Sequence, residues 1–413
     1  MPGKVKQTPM KLGLRLAATV VGATLLTAGV SSQRAAFEGQ WRHYGGSPGS
    51  TNYSALDLVN RDNVANLRIA WRWASPDNAV AASNKALMPG AYEDTPLMSN
   101  GVLYTITGLG RVAAIDPATG ATIWQYDPET YKSGRPANLG FVHRGLAFWT
   151  DGKIERLLAG THDAYLISVD ARNGQPDPAF GNGGRVDLVE GLPYAQRVRN
   201  YTVTSAPVVA RNVIVTGASI SDGPQNMEAP RGDVSGYDVR TGKRLWTFRA
   251  VPARGEFGHD SWLEGSAEYI GNTNVWSLMS VDETLGLPIV KPPYSRLTAY
   301  DLNRGVIGWQ IPLGDGPRRH PLLAHLDLPP LGGGRGWVLA TRALLFVGHR
   351  GGRAAGQPPA LLAIDKMTGQ VIAKHELSLG PSAPMTYLHQ NRQYVAMATG
   401  GGDRAEIVAF TLK

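Results

Sequence analysis

The chain of 413 residues contains no cysteine. That excludes disulfides, thiolate metal ligands and a lipid anchor on cysteine. Its formal net charge is +8, yet no five basic residues stand together. The charge therefore reads as a scattered, solvated basic surface, and nucleic acid is not an expected partner. No pair of histidines has zinc-ligand spacing. Beyond the first thirty residues there is no stretch long and apolar enough to span a bilayer, and none with a sustained helical period.

What is abundant is glycine (50 residues), proline (28) and apolar residues (43%). That mixture suits many short strands joined by turns around one large core or two. At the N-terminus, Lys4, Lys6, Lys11 and Arg15 precede an apolar run from Leu16 to Val30, followed by small residues to Ala36. This is the n-region, h-region and small-residue pattern of a secretory signal. Residues 1–36 are thus expected to be a signal or a retained N-terminal anchor, placing residues 37–413 in the periplasm or cell envelope.

One short grammar recurs through the rest. Gly236-Tyr237-Asp238-Val239-Arg240-Thr241-Gly242-Lys243-Arg244-Leu245-Trp246 reads as strand, tight turn, strand. Thr241-Gly242 supplies the turn, where glycine takes a positive φ without steric cost. Ala114-Ile115-Asp116 through Gly120 to Trp124 repeats it, as does Ala299-Tyr300-Asp301 through Gly305 to Trp309. Copies without the tryptophan run from Ser168 to Gly174 and from Ala363 to Gly369. The turn glycines stand between 54 residues apart (Gly120 to Gly174) and 68 apart (Gly174 to Gly242). That period suits one four-stranded propeller blade plus insertions, so the expected class is all-β, a β-propeller. Ile407-Val408-Ala409-Phe410 is expected to complete a blade begun near Leu67.

From Trp41 to the C-terminus the chain resembles the quinoprotein dehydrogenases that use pyrroloquinoline quinone (PQQ), most closely their membrane-associated glucose dehydrogenase branch. The resemblance is carried by Arg240-Thr241-Gly242-Lys243-Arg244-Leu245-Trp246, Gly271-Asn272-Thr273-Asn274-Val275-Trp276, Pro384-Met385-Thr386-Tyr387 and Gly400-Gly401-Gly402. It implies an eight-bladed propeller holding PQQ and a divalent cation, calcium or magnesium, near its axis. A flat tricarboxylated quinone needs an aromatic floor, cationic or hydrogen-bonding groups, and oxygen ligands for a hard metal. On the resemblance, Trp276 is the floor and Arg144, in His143-Arg144-Gly145, faces a cofactor carboxylate. Glu93 and Ser205 match polar contacts of the cofactor. For the metal, Asp222 fits the glucose-dehydrogenase spacing and Glu228 the alcohol-dehydrogenase spacing, so both stand. The family oxidises sugars or alcohols by hydride transfer to PQQ and passes electrons to a ubiquinone-type acceptor, with peripheral membrane association.

The resemblance breaks at one junction. The family continues past Gly286-Leu287 into several further blades, whereas here Leu287-Pro288-Ile289-Val290 runs directly into Lys291-Pro292 and a late-blade pattern. On the order of two hundred residues are absent, several repeats' worth. With them go the family's catalytic aspartate loop, a second metal-ligand region and the basic residue at the quinone oxygens, so no catalytic base is assigned. About five to six blades remain, which must leave a smaller ring or an open gap. Two functions follow: a dehydrogenase of low or no activity, favouring an aldose or cyclic polyol over a simple alcohol, or a non-catalytic propeller serving as a binding or scaffold protein.

Overall fold

The computed structural model describes residues 39–222, 227–256, 258–271, 273–282, 287–290, 296–301, 306–313, 335–351 and 358–412. The signal segment lies outside these residues, as do the turn at 302–305 and much of the junction.

The alternating apolar pattern folds into five four-stranded antiparallel sheets among the described residues. Blade A is built from Leu97–Ser99, Val102–Ile106, Val112–Ile115 and Thr122–Tyr126. Blade B comprises Ala147–Thr150, Glu155–Gly160, Tyr165–Asp170 and Arg185–Asp187. Blade C comprises Val208–Ala210, Val213–Thr216, Val234–Asp238 and Arg244–Phe248. Blade D comprises Gly336–Ala340, Leu344–His349, Ala360–Asp365 and Val371–Glu376. Blade E takes Met385–His389, Arg392–Thr399 and Glu406–Thr411 from the end of the chain, and its outer strand is Arg68–Ala74. Trp73 pairs with Ile407 and Arg72 with Val408, the closure expected from the sequence.

Each repeat's turn is built by its aspartate. Asp116 Oδ1 accepts from the Ala118 and Thr119 amides and the Thr119 hydroxyl, and Asp238 does the same with Arg240 and Thr241. The side chain thereby supplies acceptors that the turn's backbone cannot. A register shift follows in the outer pairs of blades A, C and D, at Ala114/Ile115, Gly236/Tyr237 and Ala363/Ile364.

The repeat tryptophan reaches the next blade rather than its own core. Trp71 of blade E donates its indole N–H to Pro117 O of blade A, and Trp124 of blade A donates to Ala171 O of blade B. Trp309 donates to Lys366 O of blade D. Each ring lies on the turn glycine it faces: a Cβ on Gly120, Gly174 or Gly369 would stand within 2.8 Å of that indole. Blade B has no outer tryptophan, and Phe180 and Val186 cover Gly242 of blade C instead.

The series stops at blade C. Its Trp246 is 40% exposed, with Leu245 and Phe248 beside it at 49% and 66%, and the indole folds over its own blade's Gly236. Beyond it come two hairpins, Met279–Asp282 with Leu287–Val290 and Arg296–Asp301 with Val306–Pro312. The first packs on blade C, where Met279 and Val281 join Val208, Val215 and Val234. The second packs on blade D, where Leu297, Ile311 and Leu313 join Val347 and Ile364. Among the described residues no strand pairing links the two hairpins. The junction read from the sequence falls between them.

Residues 41–54 run across the inner strands and tie them together. Trp41 bridges Met98 of blade A, Val281 donates its amide to Pro48 O, and Asn52 and Ser54 exchange backbone bonds with Ala340 of blade D.

Candidate functional site

The four residues assigned to the cofactor occupy one kind of position. Glu93 lies four residues ahead of the inner strand of blade A. Arg144 and Ser205 lie three ahead of the inner strands of blades B and C, and Trp276 three ahead of Met279–Asp282. Equivalent ends of successive blades converge in a propeller, so these side chains meet although 183 residues separate the first from the last.

Their contacts form one network. Arg144 Nε stands 3.1 Å from Glu93 Oε2, and Arg144 Nη1 donates to Thr204 Oγ1 at 3.0 Å. The Arg144 guanidinium lies over the Trp276 ring, 5.1 Å from its centroid. Ser205 donates its hydroxyl to Trp276 O, fixing the tryptophan's backbone against blade C. Trp276 itself is 47% exposed, so its ring is open to solvent and is not a blade-core side chain.

A fifth member comes from blade D. Arg350 Nη2 stands 3.5 Å from Glu93 Oε1, on the opposite oxygen from Arg144, and its guanidinium lies over Trp337 at 4.9 Å. Sequence reasoning missed Arg350 because it follows a second strand instead of preceding an inner one. The available signal was the triplet: His349-Arg350-Gly351 copies His143-Arg144-Gly145. In both, the histidine Nδ1 accepts from the amide of the glycine two residues on, at 3.3 Å for Gly145 and 3.2 Å for Gly351.

Behind the network the residues are buried. His143 Nε2 contacts Gly160 O at 2.8 Å, and burial, with His162 beside it, lowers its pKa to about 3. Asp94 accepts from Thr105 Oγ1, and burial holds its carboxyl well above the usual range. Burial likewise pushes the Tyr44 phenol up to about 12. These are neutral groups packed behind a charged front.

The two carboxylates proposed for a cation are not brought to this network. Asp222 and Glu228 are both exposed. The Asp222 amide is tied to Asn138 Oδ1, and residues 223–226 of the loop lie outside the described residues. Among the described residues no three His, Asp or Glu side chains are grouped closely enough to hold a metal ion.

The chain is therefore a β-propeller whose inner-strand ends carry a cationic cluster with tryptophan walls. A family model, "PQQ: Glucose/ethanol/alcohol dehydrogenase, beta-propeller domain", matches residues 41–287 and again 283–395. The chain belongs to that family of PQQ β-propeller dehydrogenase domains. It is 31% identical over 290 residues to the alcohol dehydrogenase (quinone), dehydrogenase subunit, of Gluconobacter oxydans, covering 68% of this chain and 34% of that protein. It is 32% identical over 269 residues to the quinoprotein glucose dehydrogenase of the same organism, covering 60% of this chain and 31% of that one. The chain thus spans about a third of the length of the curated relatives it matches. The fold resembles the quinohemoprotein alcohol dehydrogenase of Comamonas testosteroni, with a TM-score of 0.62 at 18% identity over 94% of this chain and 84% of that one.

The residues present fit the carboxylated, aromatic part of PQQ. Two guanidiniums share one carboxylate, and Asp94 Oδ1 and Thr95 Oγ1 are buried without hydrogen-bond partners. Unsatisfied polar atoms of this kind call for a polar ligand or water. The cavity between Ser205, Gly217 and Trp276 holds only about 10 Å³, too little for a flat ring, so a ring would have to lie on the solvent-exposed part of the indole.

Proposed function

We propose that this chain binds PQQ at the Glu93–Arg144–Ser205–Trp276 cluster and that its dehydrogenase activity on a sugar or alcohol is low or absent. One observation carries the reading: four side chains from four separate segments meet in one network of ion pair, hydrogen bond and cation–π contact. A charged network whose aromatic wall is left open to solvent is not what blade packing alone requires. In this reading Arg144 holds a carboxylate of the cofactor and Trp276 supplies the face for its ring. Ser205 fixes that face, and Glu93 orients the guanidinium. When bound, PQQ supplies the two-electron acceptor for oxidation of a hydroxyl group, and an aldose or cyclic polyol is the preferred substrate class. The acceptor downstream is a ubiquinone-type quinone. Residues 1–36 direct the protein to the periplasm or cell envelope, with peripheral membrane association. Calcium or magnesium would be held at Asp222 or Glu228 only weakly.

The low activity follows from residues that are missing, not from those that are present. The base loop expected downstream of Trp276 has no counterpart at the junction, and neither Asp222 nor Glu228 joins the network. The same observation favours the second reading, a binding or scaffold propeller without turnover. Reconstitution with PQQ and calcium, followed by dye reduction with glucose, tests activity: brisk turnover would refute it. Saturable quenching of tryptophan emission by PQQ, lost in Trp276→Ala, separates the cofactor binder from the scaffold, which would show no quenching.

A further inference from the structure

We propose that Arg350 is a second anion-binding residue of the site, paired with Arg144 across Glu93, so that the cluster takes a flat ligand bearing at least two carboxylates. This rests on the cofactor reading and extends it to a residue from the far side of the junction. The two arginines are built alike. Each belongs to a His-Arg-Gly triplet, each lies over a tryptophan (Trp276 at 5.1 Å, Trp337 at 4.9 Å), and each addresses a different oxygen of Glu93. The result is a pair of cationic, aromatic-backed walls facing one carboxylate.

Charge makes the pair an anion site. Glu93 is one negative charge shared by two guanidiniums, and the Arg335 side chain adds a third positive field at Arg350. Asp94, the neighbouring carboxyl, is held toward its neutral form by burial and does not balance them. A partly buried surplus of positive charge needs an anionic partner. Arg350 is also held in place, its Nε donating to Pro381 O at 3.3 Å and its amide to Arg335 O at 3.1 Å. Its Nη2 is shielded from water and meets Glu93 Oε1 only at 3.5 Å, a long contact that an incoming oxygen can compete with. Planar guanidiniums pair with carboxylates in two parallel bonds, so two arginines on two walls select two carboxylates on one rigid ring.

The test is a titration of the full chain followed by tryptophan emission, with PQQ as one probe and phenanthrenequinone, a flat ortho-quinone without carboxylates, as the other. Arg350→Gln keeps a donor toward Pro381 O but removes the charge. It should weaken PQQ binding about tenfold or more, the loss expected for a charge-assisted hydrogen bond, and leave phenanthrenequinone unchanged. Arg350→Lys should fall between the two and decides the matter if Arg350→Gln shows a lowered urea midpoint. If PQQ binds wild type and both variants equally, the second clamp is refuted while the cofactor reading survives. If PQQ does not quench wild type at all, both are refuted.

Discussion

Removing Trp71 should cost the fold far more than removing Trp246, although both occupy the same place in the repeat. Trp71 is 7% exposed, lies on Gly120 of the next blade and donates to Pro117 O at 3.1 Å. Truncation to alanine empties a buried site between blades E and A, a loss of about 3–5 kcal/mol for a tryptophan. The lost hydrogen bond adds little, because Tyr387 also donates to Pro117 O at 2.7 Å and keeps that carbonyl satisfied. Trp71→Phe should therefore recover most of the stability. Trp246, at 40% exposure and folded over its own blade's Gly236, should lose about 1 kcal/mol or less on truncation. Urea unfolding of the three variants, with m values compared to confirm that the transition itself is unchanged, measures the differences. Equal losses for Trp71→Ala and Trp246→Ala would show that blade C is capped after all, and the gap drawn between the hairpins would be wrong.

Two pH predictions follow from the buried groups. His143 stays neutral in the folded chain down to about 3, because burial and the Gly145 amide on Nδ1 both oppose its proton. In the unfolded chain it takes up a proton near pH 6.5. Between those values the unfolded state binds more protons, so stability falls as pH falls, by about 1.4 kcal/mol per unit from this residue. His143→Asn should flatten the acid limb by that slope between pH 6.5 and 5, and an unchanged slope would contradict it. Asp94 has the opposite sign: its raised folded pKa favours the fold at low pH, and that contribution is lost as pH rises. Asp94→Asn should gain on wild type in urea midpoint from pH 4 to 8, and a constant difference across that range would refute the assignment.

The repeating turn units were legible because they are local. An aspartate that caps its own turn and the glycine that closes it announce themselves within a dozen residues, and blades A to D follow from them. Glu93, Arg144, Ser205 and Trp276 were read from the family resemblance, and each stands three or four residues ahead of an inner strand. Arg350 was not, because its meeting with Glu93 depends on where blade D comes to lie, which no local pattern encodes. The role of residues 41–54 was hidden likewise, since a segment without a repeat of its own ties Met98, Val281 and Ala340. Asp222 and Glu228 had suitable chemistry and spacing, yet both are exposed outside the network, Asp222 with its amide tied to Asn138.

The place of the junction gives the site a consequence for stability. Trp276 leads into the hairpin that packs on blade C, whereas Trp337 and Arg350 belong to blade D, beyond the second hairpin. Between those hairpins the described residues show no strand pairing, so across that seam the two sides meet through the ion pairs of Glu93 and the crossing segment 41–54, while blades D, E, A and B share one buried core elsewhere. A ligand gripped by Arg144 and Arg350 together binds only when both sides are folded and adjacent. Its binding energy is then added to the contact between them, about 2.7 kcal/mol at a hundredfold excess over the dissociation constant. A ligand gripped by Arg144 alone adds nothing to that contact.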